Sequence, residues 1–110
     1  MRQYVIDEIQ KKDMERVRAY LADRTQATGM TEIYWLGLPP DLLSSGQWEH
    51  RDCGPFYLAI EVGQDFIKFE FLIRAQNKFR CECIQYANPA QESFLLKFVH
   101  TLIADLVLKT

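Results

Sequence analysis

Residues 56–74 read Phe56-Tyr57-Leu58-Ala59-Ile60-Glu61-Val62-Gly63-Gln64-Asp65-Phe66-Ile67-Lys68-Phe69-Glu70-Phe71-Leu72-Ile73-Arg74. Phe56, Leu58, Ile60 and Val62 alternate with Tyr57, Ala59 and Glu61. After the turn residues Gly63-Gln64-Asp65, Ile67, Phe69, Phe71 and Ile73 alternate with Lys68, Glu70, Leu72 and Arg74. Successive strand side chains point to opposite faces, so this pattern predicts an antiparallel hairpin with one buried and one wet face. Ile67, Phe69, Phe71 and Ile73 are expected inside, with Lys68 and Glu70 outside. On that reading Phe71→Ala costs about 3–5 kcal/mol.

The pattern extends in both directions. Thr31 to Leu38 is rich in strand formers and stops at Pro39-Pro40. Past the hairpin, Gln76-Asn77-Lys78 predicts a turn and Phe79 to Tyr86 a further strand. An amphipathic helix is expected from an N-cap at Asp13 to about Ala27, with Met14, Val17, Tyr20, Leu21 and Arg24 on one side and charges elsewhere. Ile6 and Ile9 extend it backward or form a separate turn. Ser44 and Gln47 fit a capping box that opens a short helix, Ser45 to about Asp52, ending at Gly54-Pro55. Asn88, Pro89 and Gln91 open the last helix, whose stripe is Leu95, Leu96, Val99, Leu102, Ile103 and Leu106. The expected fold is α+β: one two-layer domain over residues 1–110. It has an antiparallel sheet of about four strands, with the long N-terminal and C-terminal helices on one face.

Composition narrows the function. The chain has 110 residues, 48% hydrophobic and 25% charged, the balance of an ordered domain. Thirteen basic against 15 acidic residues leave a net charge of −2, which argues against binding nucleic acid through its phosphates. No secretory h-region follows Met1, and no stretch has the length of a membrane span. Three cysteines make no disulfide framework, and the cytoplasm is the expected compartment.

Chemistry concentrates in residues 50–53 and 81–83. His50 and Cys53 form H-x2-C, Cys81 and Cys83 form C-x-C, and together they match the donor count of a Cys3His zinc site. His50 and Cys53 would share one side of the short helix. Cys81 and Cys83 would share a strand face with Phe79, and there the geometry is unfavourable. Alternate strand residues have α-carbons roughly 6.5–7 Å apart, whereas two sulfurs on one zinc lie only about 3.8 Å apart. Buried core thiols are therefore the expected outcome and zinc the alternative. A meander also places the start of its first strand away from the end of its third. A shared site would need the short helix to fold over the sheet.

Other residues carry plainer readings. Glu61, Glu70, Lys68 and Arg74 predict a cross-strand charge lattice. His100 is expected in solvent. Trp48, His50 and Tyr57 are the candidate ligand- or partner-binding residues, because 39–55 is a long connection and large aromatics anchor interfaces. Phe94 and Phe98 widen the apolar arc of the last helix and suggest a homodimer. The expected function is a small soluble cytoplasmic binding or protein-interaction module without enzymatic activity or cofactor. Its partner is an unspecified protein or small ligand, not nucleic acid or membrane. The alternatives are a zinc-stabilised domain and a thiol-dependent enzyme with His50 as base to Cys53 or Cys81.

Overall fold

Strand-forming residues from Phe56 to Val62 make the longest strand, and the rest of the sheet assembles around it. The computed structural model describes residues 1–109. In chain order the elements are β1 (Gln3–Ile6), α1 (Lys11–Arg24), β2 (Gln26–Ala27), β3 (Ile33–Gly37), α2 (Ser45–Glu49), β4 (Phe56–Val62), β5 (Ile67–Glu70), β6 (Leu72–Ala75), β7 (Gln85–Tyr86) and α3 (Pro89–Leu106). Single 3-10 turns cover Pro40–Leu42 and Arg51–Cys53. The sheet is antiparallel, in the order β1-β5-β4-β3-β2. β6 also pairs with β4, and β7 pairs with β6.

The α+β class holds, but four strands in a simple two-layer domain do not describe the molecule. Among the described residues there are seven strands and three α-helices. Each extra element has a local cause. Residues 3–6 do not extend α1 backward. They pair with β5, placing Tyr4 opposite Phe69 and Ile6 opposite Ile67. The first helix ends at Arg24 rather than Ala27, because the Thr25 hydroxyl and amide both bond the Leu21 carbonyl. Gln26 and Ala27 then pair with Trp35 and Tyr34. Asp13 is not the N-cap. It lies inside the first turn and pairs with Arg16 at 3.0 Å.

The central alternation survives with one interruption. Ile60 pairs with Phe69, but Phe56 pairs with Ala75. Leu58 and Ala59 therefore face the four residues from Glu70 to Ile73, which makes a bulge. An insertion of two residues preserves the inside–outside parity, so Ile73 remains fully buried. Phe71 falls in the bulge and is only partly buried, against expectation. Its amide bonds the Arg2 carbonyl and its carbonyl accepts from Ala87. At the turn, the Phe66 ring lies over Gly63, where a Cβ would come within 2.0 Å of it, so a larger residue there would displace the ring.

Leu58, Ile60, Val62, Ile67, Phe69 and Ile73 form one core with Met14, Val17 and Leu21 of α1 and Leu95, Val99 and Leu102 of α3. The other side of the sheet carries the predicted charge lattice. Glu61 is opposite Lys68, and Arg74 bonds Glu70 at 3.2 Å. Trp35 stacks on Tyr57 there, with ring centres 4.2 Å apart. Phe94 and Phe98 are partly buried against the core, Phe98 edge-on to Tyr20. His100 is exposed. Among the described residues no helix is long and apolar enough to cross a membrane.

Both predicted capping boxes form, and they are joined. In α2, Gln47 receives the Ser44 amide on Oε1, and in α3 Gln91 receives the Asn88 amide on Oε1. Both glutamines are only 1% exposed. Gln91 Nε2 donates to Gln47 Oε1 at 2.8 Å and to the Leu42 carbonyl at 2.8 Å. Gln47 Nε2 donates onward to the Cys83 carbonyl at 3.3 Å. A chain of buried hydrogen bonds thus ties the start of α3 to α2, and α2 to the cysteine-bearing loop.

Candidate metal centre

The expected strand from Phe79 to Tyr86 does not form. Only Gln85 and Tyr86 are in a strand, and residues 79–84 are irregular. Phe79, expected on a shared inner face with the cysteines, is fully exposed. The Ile84 amide bonds the Cys81 carbonyl at 3.0 Å, closing a turn around Cys81-Glu82-Cys83. The Cys83 amide points at Cys81 Sγ, 3.4 Å away. A turn curls two nearby thiols toward one point. The separation that made C-x-C awkward on a strand does not apply.

The halves meet because the loop leaves from the neighbouring strand. The first residues of β4 pair with the last of β6, Phe56 with Ala75 and Tyr57 with Arg74. The chain leaving β6 therefore passes directly over the residues entering β4. The Gln76 amide bonds the Pro55 carbonyl, and the Asn77 amide bonds the Cys53 carbonyl. Asn77 Nδ2 adds a bond to the Gly54 carbonyl at 2.7 Å. No crossing of a middle strand is needed, because residues 79–84 are not a third strand of the meander. From the other direction, α2 stops at Glu49, and the 3-10 turn Arg51–Cys53 brings Cys53 beside His50.

His50, Cys53, Cys81 and Cys83 come together as a result, with their donor atoms all within 4.8 Å of one another. Cys53 Sγ lies 3.9 Å from Cys81 Sγ. His50 Nδ1 lies 3.4 Å from Cys81 Sγ. For a tetrahedral zinc, bond lengths of about 2.3 Å to sulfur and 2.0–2.1 Å to nitrogen imply edges of roughly 3.8 Å (S···S) and 3.6 Å (S···N). The two measured edges are close to those values.

Surrounding groups suit a metal ligand set. His50 Nε2, the nitrogen turned away from the sulfurs, lies 3.2 Å from Glu82 Oε1. A histidine ligand commonly donates its remote N–H to a carboxylate, which fixes the tautomer and raises the basicity of the ligating nitrogen. The hydrogen bond from the Cys83 amide is the main influence holding the Cys81 thiol below its ordinary pKa; the Cys83 and Cys53 side chains and the His50 charge add to it. Cys83 moves the other way. Burial first, then the neighbouring sulfurs, push its thiol up to about 12. A bound cation would offset the burial that holds Cys83 protonated.

The three residues singled out for binding do not form one surface. His50 belongs to the cluster. Trp48 is 53% exposed and lines a groove of about 380 Å³ with Leu38, Pro40, Leu43, Pro55 and Phe56. Tyr57 lies on the other side of the sheet against Trp35. Sequence reasoning did not find Glu82 as the partner of His50, because nothing in C-E-C points 32 residues back. Gln47 was legible as a cap but not as the anchor of Cys83. Comparison with protein-family models, with curated proteins and with solved structures finds no match for this chain, so a functional reading rests on its own geometry.

Proposed function

We propose that this chain is a small metal-stabilised domain in which His50, Cys53, Cys81 and Cys83 hold one zinc ion. The supporting observation is the convergence of four donor atoms within 4.8 Å, from two segments about 30 residues apart in sequence. Three thiolates and an imidazole are a soft donor set that suits zinc and not magnesium or calcium. Four protein ligands fill a tetrahedral ion and leave no position for substrate water, so the role is structural. The ion would clamp the irregular loop 76–84 and the end of α2 onto the β4–β6 corner. The Trp48 groove borders the same corner at Gly54 and Pro55. A centre of this kind fits a binding module whose surface is held in shape by metal.

Elemental analysis of purified protein tests the proposal. One zinc per chain is expected, together with a melting temperature that falls when a strong chelator is added and recovers with zinc. Cobalt substitution should give the visible absorption of a tetrahedral thiolate site. Absence of stoichiometric metal, with a melting temperature unchanged by chelator, refutes it.

A second reading has one specific observation behind it. Cys81 Sγ, His50 Nδ1, His50 Nε2 and Glu82 Oε1 follow one another at 3.4 and 3.2 Å, the order of nucleophile, base and orienting carboxylate. That reading gives Cys53 and Cys83 no part, whereas the metal reading uses all four residues. It is tested by alkylation. A catalytic Cys81 reacts rapidly with a mild alkylator in protein as purified, whereas a zinc-held Cys81 reacts slowly and is accelerated many-fold by chelation.

A further inference from the structure

We propose that Cys53 and Cys81 are an oxidation site at which a hydroperoxide forms a disulfide, opening the metal centre. The release of metal rests on the zinc reading above; the disulfide does not.

The pair is singled out by geometry. The two sulfurs are 3.9 Å apart and belong to residues 28 positions apart in sequence. A disulfide needs about 2.05 Å, so the sulfurs must close by roughly 2 Å. Cys81 is on irregular backbone, where such a shift breaks no helix or strand ladder. It is also the partly exposed thiol of the three, and Cys53 and Cys83 are buried. A peroxide therefore meets Cys81 first. Cys83 is a poor second partner. It is 1% exposed, its carbonyl is held by Gln47, and a C-x-C disulfide would close a very small ring across the turn. Cys53 is fixed at the end of its 3-10 turn, with its carbonyl bonded by Asn77. It faces Cys81 and is the resolving thiol.

The chemistry balances with the hydroperoxide as oxidant. The Cys81 thiolate attacks one peroxide oxygen. The O–O bond breaks, and the other oxygen leaves as an alcohol, or as water from hydrogen peroxide, after taking a proton. Cys81 becomes a sulfenic acid. The Cys53 thiolate then attacks the Cys81 sulfur. The S–O bond breaks, hydroxide leaves and is protonated to water, and the S–S bond forms. Two thiols are oxidised by two electrons and one peroxide is reduced. Two of the four ligands are consumed. Cys83 and His50 alone make half a tetrahedral set, and the ion dissociates.

The test uses the full chain as purified, titrated with hydrogen peroxide. Zinc release is followed with a metallochromic dye, and disulfides are mapped by mass spectrometry of non-reduced peptides. One equivalent of peroxide should release the bound zinc and link the Cys53 and Cys81 peptides, and a phosphine reductant with added zinc should reverse both. Cys81→Ser should abolish the link, and Cys83→Ser should retain it. If the protein carries no zinc but the link forms, the metal reading fails and the oxidation site stands. If zinc is bound but peroxide yields a Cys81–Cys83 link, a link between chains, or only sulfinic acid, the proposal is overturned and the metal reading survives.

Discussion

Replacing Gln47 with Leu removes the hinge between the two helix caps and the cysteine loop while nearly keeping side-chain volume. Gln47 accepts from the Ser44 amide at 3.0 Å and from Gln91 Nε2 at 2.8 Å, and donates to the Cys83 carbonyl at 3.3 Å. Leucine offers none of these. Gln91 retains its bond to the Leu42 carbonyl, so its amide is not orphaned. The Cys83 carbonyl loses its Gln47 donor. An unsatisfied buried acceptor costs about 1–3 kcal/mol, and each ordinary hydrogen bond lost adds about 0.5–1.5 kcal/mol. With the Ser44 and Gln91 bonds also lost, the expected destabilisation is about 2–6 kcal/mol. At roughly 4 °C per kcal/mol for a chain of this size, melting should fall by about 8–24 °C. Thermal and urea unfolding, with zinc at a fixed excess so that linkage is constant, measure it. Zinc affinity should fall as well, because Cys83 loses the bond that holds its backbone. Unfolding within about 0.5 kcal/mol of the parent, with unchanged zinc affinity, would show that the buried network has no part in holding the centre.

Further expectations concern separate parts of the molecule. Phe69→Ala should cost about 3–5 kcal/mol in urea unfolding, since that ring is fully buried, and Phe71→Ala clearly less, since the bulge leaves Phe71 partly in solvent. Glu82→Ala should weaken zinc binding only a few-fold in a chelator competition, since the Glu82 side chain is 84% exposed and the pair is screened, while changing the melting of the metal-free chain little. Val107 has a left-handed backbone (φ 53°) at the C-terminal end of α3, an unfavourable conformation for a β-branched residue, and its side chain is exposed. Val107→Gly should raise stability by about 1 kcal/mol. The Tyr20 hydroxyl donates to Asp105 at 2.8 Å, and burial, then that bond, raises its pKa above the ordinary value. A raised pKa contributes stability below the unfolded value near 10 and loses it as pH climbs through the folded value. Unfolding free energy should therefore drop above about pH 10, and Tyr20→Phe should flatten that drop.

Much of the architecture was legible in sequence because local physics sets it. The period-two run from Phe56 to Val62 and the caps Ser44/Gln47 and Asn88/Gln91 report on neighbours within a few residues, and each appears as expected. The strand Gln3–Ile6 was not legible. Four residues carry little periodicity, and their partner β5 lies more than 60 positions away. The bulge at Glu70–Ile73 was hidden for a different reason. A two-residue insertion keeps the alternation intact, so the sequence pattern is the same with or without it.

For the candidate metal centre, sequence determined the four donor residues and tertiary structure decided their meeting. One imidazole and three thiols, in H-x2-C and C-x-C, are all in the chain as written. Whether they converge depends on three facts that no local pattern encodes. Cys81-Glu82-Cys83 folds as a turn and not as a strand. The end of β6 pairs with the start of β4, so the loop leaves beside Cys53. Gln47 and Gln91, each legible only as a cap, bond one another and reach the Cys83 carbonyl from 36 residues away. Spacing sets what neighbouring side chains can reach. Only the closing of long loops by the buried core brings two distant pairs of donors within reach of one ion.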